Sequence, residues 1–262
     1  MRYLVLADLH HDFWEDAGRD PFRGIEAEIA GLDLLILAGD VSNKPKVRWK
    51  PAFEQLCTMI GADRIKVFPG NHDFYQYRLD AEDRLAEIAA QSGVEYVARK
   101  SVILGNTRFL CTTLWTDFEL GPGRLANEAH IPQRMNDYRA IRVASGGFRK
   151  ARPRDFIERH FADRAWLSEM LKTEFSGQTF VVSHHAPHPG VLVPYGQGLE
   201  AAYASNMEEF MLAHKPDQWI FGHCHDALEI SVGSVRLRNA SLGYPDDVRD
   251  PQARILSLIR ET

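Results

Sequence analysis

Five short signatures gather the side chains of this chain that could do hydrolytic chemistry: Asp8-Leu9-His10, Gly39-Asp40, Gly70-Asn71-His72-Asp73, Ser183-His184-His185 and Gly222-His223-Cys224-His225. Each follows directly on a hydrophobic run, so each is expected where a strand breaks into a loop. Carboxylate, amide and imidazole donors in this mixture suit a pair of divalent ions such as manganese, iron or zinc. Asp8 and His10 are two apart and share a face if the strand continues through them. Asp40 can give one oxygen to each of two cations, with Gly39 letting the backbone turn beside them; the bland alternative is a turn or N-cap aspartate. The Asn71 amide oxygen is a neutral ligand, useful where a further carboxylate would over-compensate the metal charge. His72, its neighbour, cannot easily reach the same ion and is better placed to face a substrate as a general acid.

His184, His223 and His225 complete the set. A lone histidine is more often structural than ligating. Here, however, His223 and His225 flank a cysteine that should point away, and Gly222 clears space for them. His11 and His185, the second members of His-His pairs, are read as structural or outer partners.

The elements that must position these groups follow from the apolar runs. Tyr3–Ala7, Leu34–Ala38, Ile65–Phe68, Phe180–Ser183 and Trp219–Phe221 have the length and composition of buried strands. Helical stretches at about Phe22–Ala30, Pro51–Ile60 and Leu79–Gln91 separate the first three, and a long helix is expected at about Arg154–Thr173. Strand, loop and helix in alternation mark an α/β protein whose functional groups gather at the carboxyl ends of its strands. The rhythm changes after Gln91. Val94–Val97, Val102–Leu104 and Arg108–Thr112 are closely spaced, with Gly105-Asn106 as a hairpin turn, and Ala227–Val232 and Val235–Arg238 flank Gly233-Ser234. Ile255–Ile259 reads as a final strand. Two mixed β-sheets packed face to face with helices outside are therefore expected, in a single domain over residues 1–262. Residues 117–150, rich in Gly, Pro, Arg and Asn without clear periodicity, read as a lid or binding insertion.

Composition narrows the function classes. A net charge of -5 gives no general attraction to nucleic acid, although a local patch between Arg134 and Arg154 is possible. Three widely separated cysteines, Cys57, Cys111 and Cys224, argue against a disulfide framework and for a reducing cytoplasm. No run approaches the ~18 apolar residues of a membrane span, so no membrane partner is expected.

In chain order the five signatures resemble those of the calcineurin-like metallophosphoesterase superfamily, which reads Asp-x-His, Gly-Asp, Gly-Asn-His-Asp/Glu, His and Gly-His-x-His. The resemblance runs from Asp8 to His225 and implies the four-layer αββα sandwich of that family. It also implies a division of ligands. Asp8, His10 and His225 would hold one metal, Asn71, His184 and His223 the second, and Asp40 would bridge. Manganese is favoured, with iron, zinc, cobalt or nickel also fitting the donors. Such a pair acidifies water and clamps phosphoryl oxygens, while His72 protonates the leaving oxygen, its charged form favoured by an acid; Asp73 is nearest in sequence.

Two positions depart from the protein-phosphatase branch, which carries Asp and Arg where this chain has Asn43 and Lys44. The pattern is closer to bacterial phosphodiesterase-like and nuclease-like members. Gln133–Arg139 and Ala201–Ser205 also resemble stretches in bacterial members, which makes Arg134, Asn136, Asp137, Tyr138 and Arg139 candidate substrate contacts. The expected activity is hydrolysis of a phosphodiester or small phosphomonoester. A nuclease would need a basic groove, for which Arg134, Arg139, Arg142 and Arg149 with Tyr138 and Phe148 are candidates. Tyr195, Tyr203 and Tyr244 are candidates to stack on a base or close the pocket. A non-catalytic scaffold of the same fold would be expected to have lost ligands, and none is missing.

Overall fold

The computed structural model describes residues 1–145, 147–193 and 198–262, so Tyr195 lies outside the described residues. In the first third, strands β1 (Arg2–Leu6), β2 (Leu34–Ala38), β3 (Ile65–Phe68) and β4 (Glu95–Tyr96) are interleaved with helices α1 (His11–Asp16), α2 (Glu26–Ala30), α3 (Pro45–Cys57) and α4 (Glu82–Gln91). A hairpin follows, β5 (Lys100–Leu104) and β6 (Thr107–Thr112), turning at Gly105-Asn106 as its sequence requires. Next come α5 (Arg124–His130), α6 (Asp137–Ala140), the short pair β7 (Arg142–Val143) and β8 (Arg149–Lys150), and the long α7 (Pro153–Lys172). The last part holds β9 (Gln178–Ser183), α8 (Glu200–Tyr203), α9 (Glu208–His214), β10 (Gln218–Phe221), the hairpin β11 (Glu229–Val232) and β12 (Val235–Asn239), α10 (Pro251–Leu258) and β13 (Arg260–Glu261).

Two mixed sheets form, ordered β13-β1-β2-β3-β4 and β11-β12-β10-β9-β6-β5. In the first, β1 to β4 are parallel and β13 is antiparallel at the edge. In the second, β12, β10, β9 and β6 are parallel, flanked by the antiparallel partners β11 and β5. Strand alternation explains why the sheets stack. Phe109 and Cys111 of β6, Phe180 and Val182 of β9 and Ile220 of β10 join the core shared with β1 and β2, where Tyr3 lies 5.1 Å from Phe109. The intervening Leu110, Val181, Trp219 and Phe221 point the other way, against Leu167 of α7 and Phe210 and Met211 of α9. β2 is buried along its whole length, and Trp49, Phe53 and Leu56 of α3 belong to the same core. Helices, sheet, sheet, helices is the expected order of layers.

One expected strand is a helix. Ile255–Ile259 falls in α10, where Pro251 occupies the first turn, the Asp250 carboxylate accepts from the Ala253 N–H at 2.8 Å, and Ile255 and Leu258 are buried one turn apart. The apolar residues there repeat at helical spacing, which a five-residue window hides. The final strand is instead the two-residue β13, paired with β1. α3 also begins earlier than expected, at Pro45, and carries Pro51 within it.

The segment 117–150 has structure of its own in α5, α6 and the β7–β8 pair, and it is stitched to the chain after the third signature. Gln76 N–H donates to Ala140 O at 2.9 Å, Leu79 N–H to Arg142 O at 2.8 Å and Arg142 N–H to Tyr77 O at 3.0 Å. Among the described residues no helix is long and apolar enough to cross a membrane.

Phe109 is wholly buried between the sheets. Phe109→Ala is expected to cost about 3–5 kcal/mol, read as a lower urea midpoint with an unchanged slope. A loss below about 1 kcal/mol would mean that the two sheets do not share this core.

Candidate metal centre

The signatures leave the carboxyl ends of five parallel strands, β1, β2, β3, β9 and β10, and converge. Three groups of side chains bring their ligand atoms within 4.8 Å of one another: Asp8 with His10 and His225, His10 with Asp40 and His72, and Asp40 with His184 and His223. Asp40 belongs to two of them. Its Oδ1 is 3.4 Å from His184 Nε2, and its Oδ2 is 3.8 Å from His10 Nε2, so one oxygen faces each side. Asn71 joins the second side, with its Oδ1 3.1 Å from His184 Nε2. All seven expected ligands are thus brought together.

Their orientation is fixed from behind. The Asp8 Oδ2 accepts from the Ser241 hydroxyl at 2.7 Å and the His223 N–H at 2.8 Å, which leaves Oδ1 free to face His225 Nε2 at 3.4 Å. The Asn71 amide donates through Nδ2 to the Asp137 carboxylate at 2.8 Å, so its oxygen must face the cavity. The Nδ1 of His184 lies 3.1 Å from Ala38 O and donates to it, turning Nε2 toward Asp40 and Asn71. Gly222 allows the approach, because a Cβ there would meet Ala7 Cβ at 2.5 Å and Asp8 Oδ2 at 2.7 Å.

Asp8, His10, Asp40 and His223 all have positive φ, between 44° and 66°. Asp8 and His10 therefore converge through a left-handed loop rather than through strand alternation. Such backbone persists where surrounding contacts over-determine it. Here Asp8 N–H donates to Gly39 O at 3.0 Å and His10 N–H to Asp40 O at 2.9 Å.

Among the described residues no lysine or arginine pairs with the carboxylates of the site, and the cations beside them are imidazoles. Burial alone would raise Asp8 and Asp40, but the imidazoles of His225 and His184 beside them outweigh it and hold both carboxyls well below the ordinary range. Burial lowers His10 and His223 to about 3, so both are neutral and able to ligate; the charges of His72 and His184 respectively add to this. For His184 burial works downward, yet the Asp40 carboxylate prevails and raises it to about 9. Asp8 Oδ1 and His223 Nε2 are buried and have no hydrogen-bond partner among the described residues. Carboxylate oxygens 3.4–3.8 Å and an amide oxygen 3.1 Å from imidazole nitrogens, with two orphaned lone pairs, fit divalent cations, whose ligands ~2.1 Å from the ion lie about 3–3.5 Å apart.

His72 stands at the mouth. Its ring stacks on Tyr75 at 4.1 Å, its N–H donates to Asp40 Oδ1 at 2.8 Å, and its Nδ1 is 3.0 Å from Asn43 Oδ1. Asn43 Nδ2 donates to the Asp12 carboxylate at 2.9 Å, so the Asn43 oxygen accepts from Nδ1–H of His72 and Nε2 is left for substrate. Asp73 is not the partner of His72. The residues His72–Phe74 form a 3₁₀ turn, which throws successive side chains about 120° apart. Asp73 accordingly points inward and accepts from the N–H groups of Asp40, Val41, Ser42 and Gly70 and from the Trp49 indole. It ties the second and third signatures together.

The cavity in front has a volume of about 410 Å³ and is lined by Asp40, Asn71, His72, His223 and His225, with Tyr75, Tyr203 and Tyr244. Tyr244 stacks on His10 at 4.4 Å and Tyr203 lies 4.8 Å from His223. Arg134, Met135 and Asn136 of the 117–150 segment also line it. Asp137 and Tyr138 do not reach it. They are buried, Asp137 behind Asn71 and Tyr75, Tyr138 against Phe156. Arg139 lines a different cavity, and Arg149 is held by Asp155 at 2.6 Å, so the expected basic groove does not form as one surface at the metals. His11 bonds Gln55, His185 faces Thr113 O, and Cys224 is buried in the outer core, all as structural groups. Ser241, Tyr75 and Asp12 were not expected; none lies in a pattern that marks it.

In the metal-free protein His184 carries a proton at neutral pH. With a pKa raised from the ordinary 6.5 to about 9, its contribution to stability is complete below pH 6.5 and lost as pH rises through 9. A cation at Nε2 must displace that proton. Manganese uptake at pH 7 is therefore expected to release protons, seen as a calorimetric enthalpy that differs between HEPES and Tris and converges as pH passes 9. An enthalpy independent of buffer at pH 7 would contradict this.

Comparison with known proteins gives a consistent result. In fold the chain is similar to the phosphopantetheinyl hydrolase PptH of Mycobacterium tuberculosis, with a TM-score of 0.72, 18% identity, and coverage of 99% of this chain and 95% of that one. It is also similar to TT1561 of Thermus thermophilus, with a TM-score of 0.53, 13% identity and coverage of 97% and 95%. A search of curated proteins returned no match. The sequence model of the calcineurin-like phosphoesterases matches residues 1–227, a span holding all five signatures, and the chain belongs to that family.

Proposed function

We propose that this protein is a phosphoesterase that uses two divalent metal ions and prefers a phosphodiester. The placement of Asp40 carries the proposal, with one carboxylate oxygen toward each of two ligand groups and His72 beside Asp40 and His10. Asp8, His10 and His225 would hold one ion and Asn71, His184 and His223 the other, with Asp40 between; manganese suits this mixed oxygen and nitrogen set. Bound there, the ions supply Lewis-acid polarisation of the phosphoryl group and acidify water.

The chain's own residues do the rest. His72, fixed by Asn43 at Nδ1, presents Nε2 to the leaving oxygen and gives it a proton when charged. Tyr75 holds the face of that ring, while its hydroxyl donates to Asp137 at 2.6 Å, the same carboxylate that aims Asn71. Among the described residues Arg134 is the one arginine or lysine lining the catalytic cavity, and Asp247 opposes it with a negative charge. A diester, with a single charge, suits that balance better than a dianionic monoester. A phosphopantetheinyl ester, the substrate named for the Mycobacterium tuberculosis neighbour, belongs among the diesters to assay. Cys57, Cys111 and Cys224 are free thiols, in keeping with a cytoplasmic enzyme.

With manganese, bis(p-nitrophenyl) phosphate is expected to be cleaved faster than p-nitrophenyl phosphate; no cleavage of either would sink the proposal. His72→Gln should retain both metals, lose roughly a hundredfold or more in kcat on an alkyl diester, and lose little on the nitrophenyl ester, whose leaving group hardly needs a proton. Asn43→Ala should show the same substrate dependence, and combining the two should cost nothing further. Full activity of His72→Gln on the alkyl ester would remove His72 from the proton transfer.

A further inference from the structure

A second cavity of about 520 Å³ opens on the far side of the 117–150 segment, lined by Lys46, Arg78, Arg139 and Arg142 with Tyr77 and Phe148. Among the described residues no carboxylate lines it. Neighbouring arginines are neutralised, Arg149 by Asp155 and Arg159 by Glu82, whereas none of these four cations has a carboxylate within 4.0 Å among the described residues. Four unpaired cations around one cavity repel one another, and an anion relieves that. Tyr77 lines the same cavity, with the Lys46 ammonium 5.5 Å from its ring centroid. Phe148 stands over the mouth with 60% of its surface exposed and a left-handed φ of 58°. An apolar ring held out in water beside cations is a stacking platform.

The cavity lies close to the chemistry along the chain. A hollow of about 480 Å³ beside the catalytic cavity is lined by His72, Tyr75 and Asn136 and also by Gln76, which lines the cationic cavity too. Tyr75 to Arg78 spans three residues, at most ~10 Å of extended chain. The backbone bonds between residues 76–79 and 140–142 bring Arg78 and Arg142 side by side.

We propose that this cavity binds a nucleotide unit of the substrate, its phosphate on Arg78 and Arg142 and its base against Phe148, while a neighbouring phosphoester reaches the metal centre. The volume is ample for one nucleotide. The role in substrate selection rests on the phosphoesterase function proposed above; the binding itself does not.

Calorimetry on the manganese-loaded protein tests this with AMP, ribose 5-phosphate and a twelve-residue oligodeoxyadenylate. AMP is expected to bind more tightly than ribose 5-phosphate. Arg78→Ala with Arg142→Ala should weaken AMP at least tenfold. Phe148→Ala should weaken AMP roughly tenfold and leave ribose 5-phosphate unchanged. Oligonucleotide binding that falls steeply with salt and exceeds AMP would identify the nucleotide source as a single strand; AMP binding that varies little with salt would identify a free nucleotide ester. The proposal is overturned if these variants leave AMP affinity unchanged, or if AMP binds no better than ribose 5-phosphate. Absence of turnover on any diester alongside intact, variant-sensitive AMP binding would reject the enzymatic function and retain the site.

Discussion

Two buried carboxylates govern this structure. Asp8 and Asp40 are essentially inaccessible to water, and among the described residues neither has a lysine or arginine as an ion-pair partner. A buried anion without a compensating charge is among the costliest features a fold can carry. Here compensation comes from imidazoles alone, and only His184 and His225 have pKa values raised by it. The fold is arranged so that five strand ends deliver these groups to one place, and the remaining negative charge is what makes the place suited to divalent cations.

The strain around the two carboxylates follows from the same constraint. Four of the seven donors sit on left-handed backbone; hydrogen bonds between the first and second signatures hold Asp8, His10 and Asp40, and the Asp8 carboxylate holds the N–H of His223. Asp73 contributes without touching the cavity. By collecting four backbone N–H groups and an indole from the second and third signatures and α3, it fixes the distance between Asp40 and Asn71. The proton-transfer side is organised more lightly, by an amide. Asn43 stands between His72 and Asp12, giving His72 a fixed tautomer through a neutral group rather than a carboxylate.

The donors and the strands that carry them could be read directly, since each lies within a few residues of an apolar run: Asp8 after β1, Asp40 after β2, His184 after β9. The packed sheets were legible through the change of rhythm after Gln91, where closely spaced runs and hairpin turns replace the strand–helix alternation. What could not be read was what holds the donors, because those partners come from segments with no local pattern. Ser241 reaches Asp8 from 233 positions away, and Asp137 reaches Asn71 from 66. Asp137 looked like a substrate contact because Gln133–Arg139 resembles a stretch in bacterial members of the family; its burial behind Asn71 makes it a positioning group. Asp73 looked like the partner of His72 because sequence adjacency says nothing about a 3₁₀ turn. The cationic cavity escaped for a related reason: Lys46 and Arg78 lie far along the chain from Arg139 and Arg142, and the pairing of residues 76–79 with 140–142 brings them together.

The central claim is that Asp40 lies between two cation sites. Anomalous diffraction above the manganese edge from manganese-soaked crystals tests it most directly. Two peaks are predicted, one among Asp8, His10 and His225 and one among Asn71, His184 and His223, with an Asp40 oxygen bound to each. A single peak remote from Asp40, or none at all, would contradict the account.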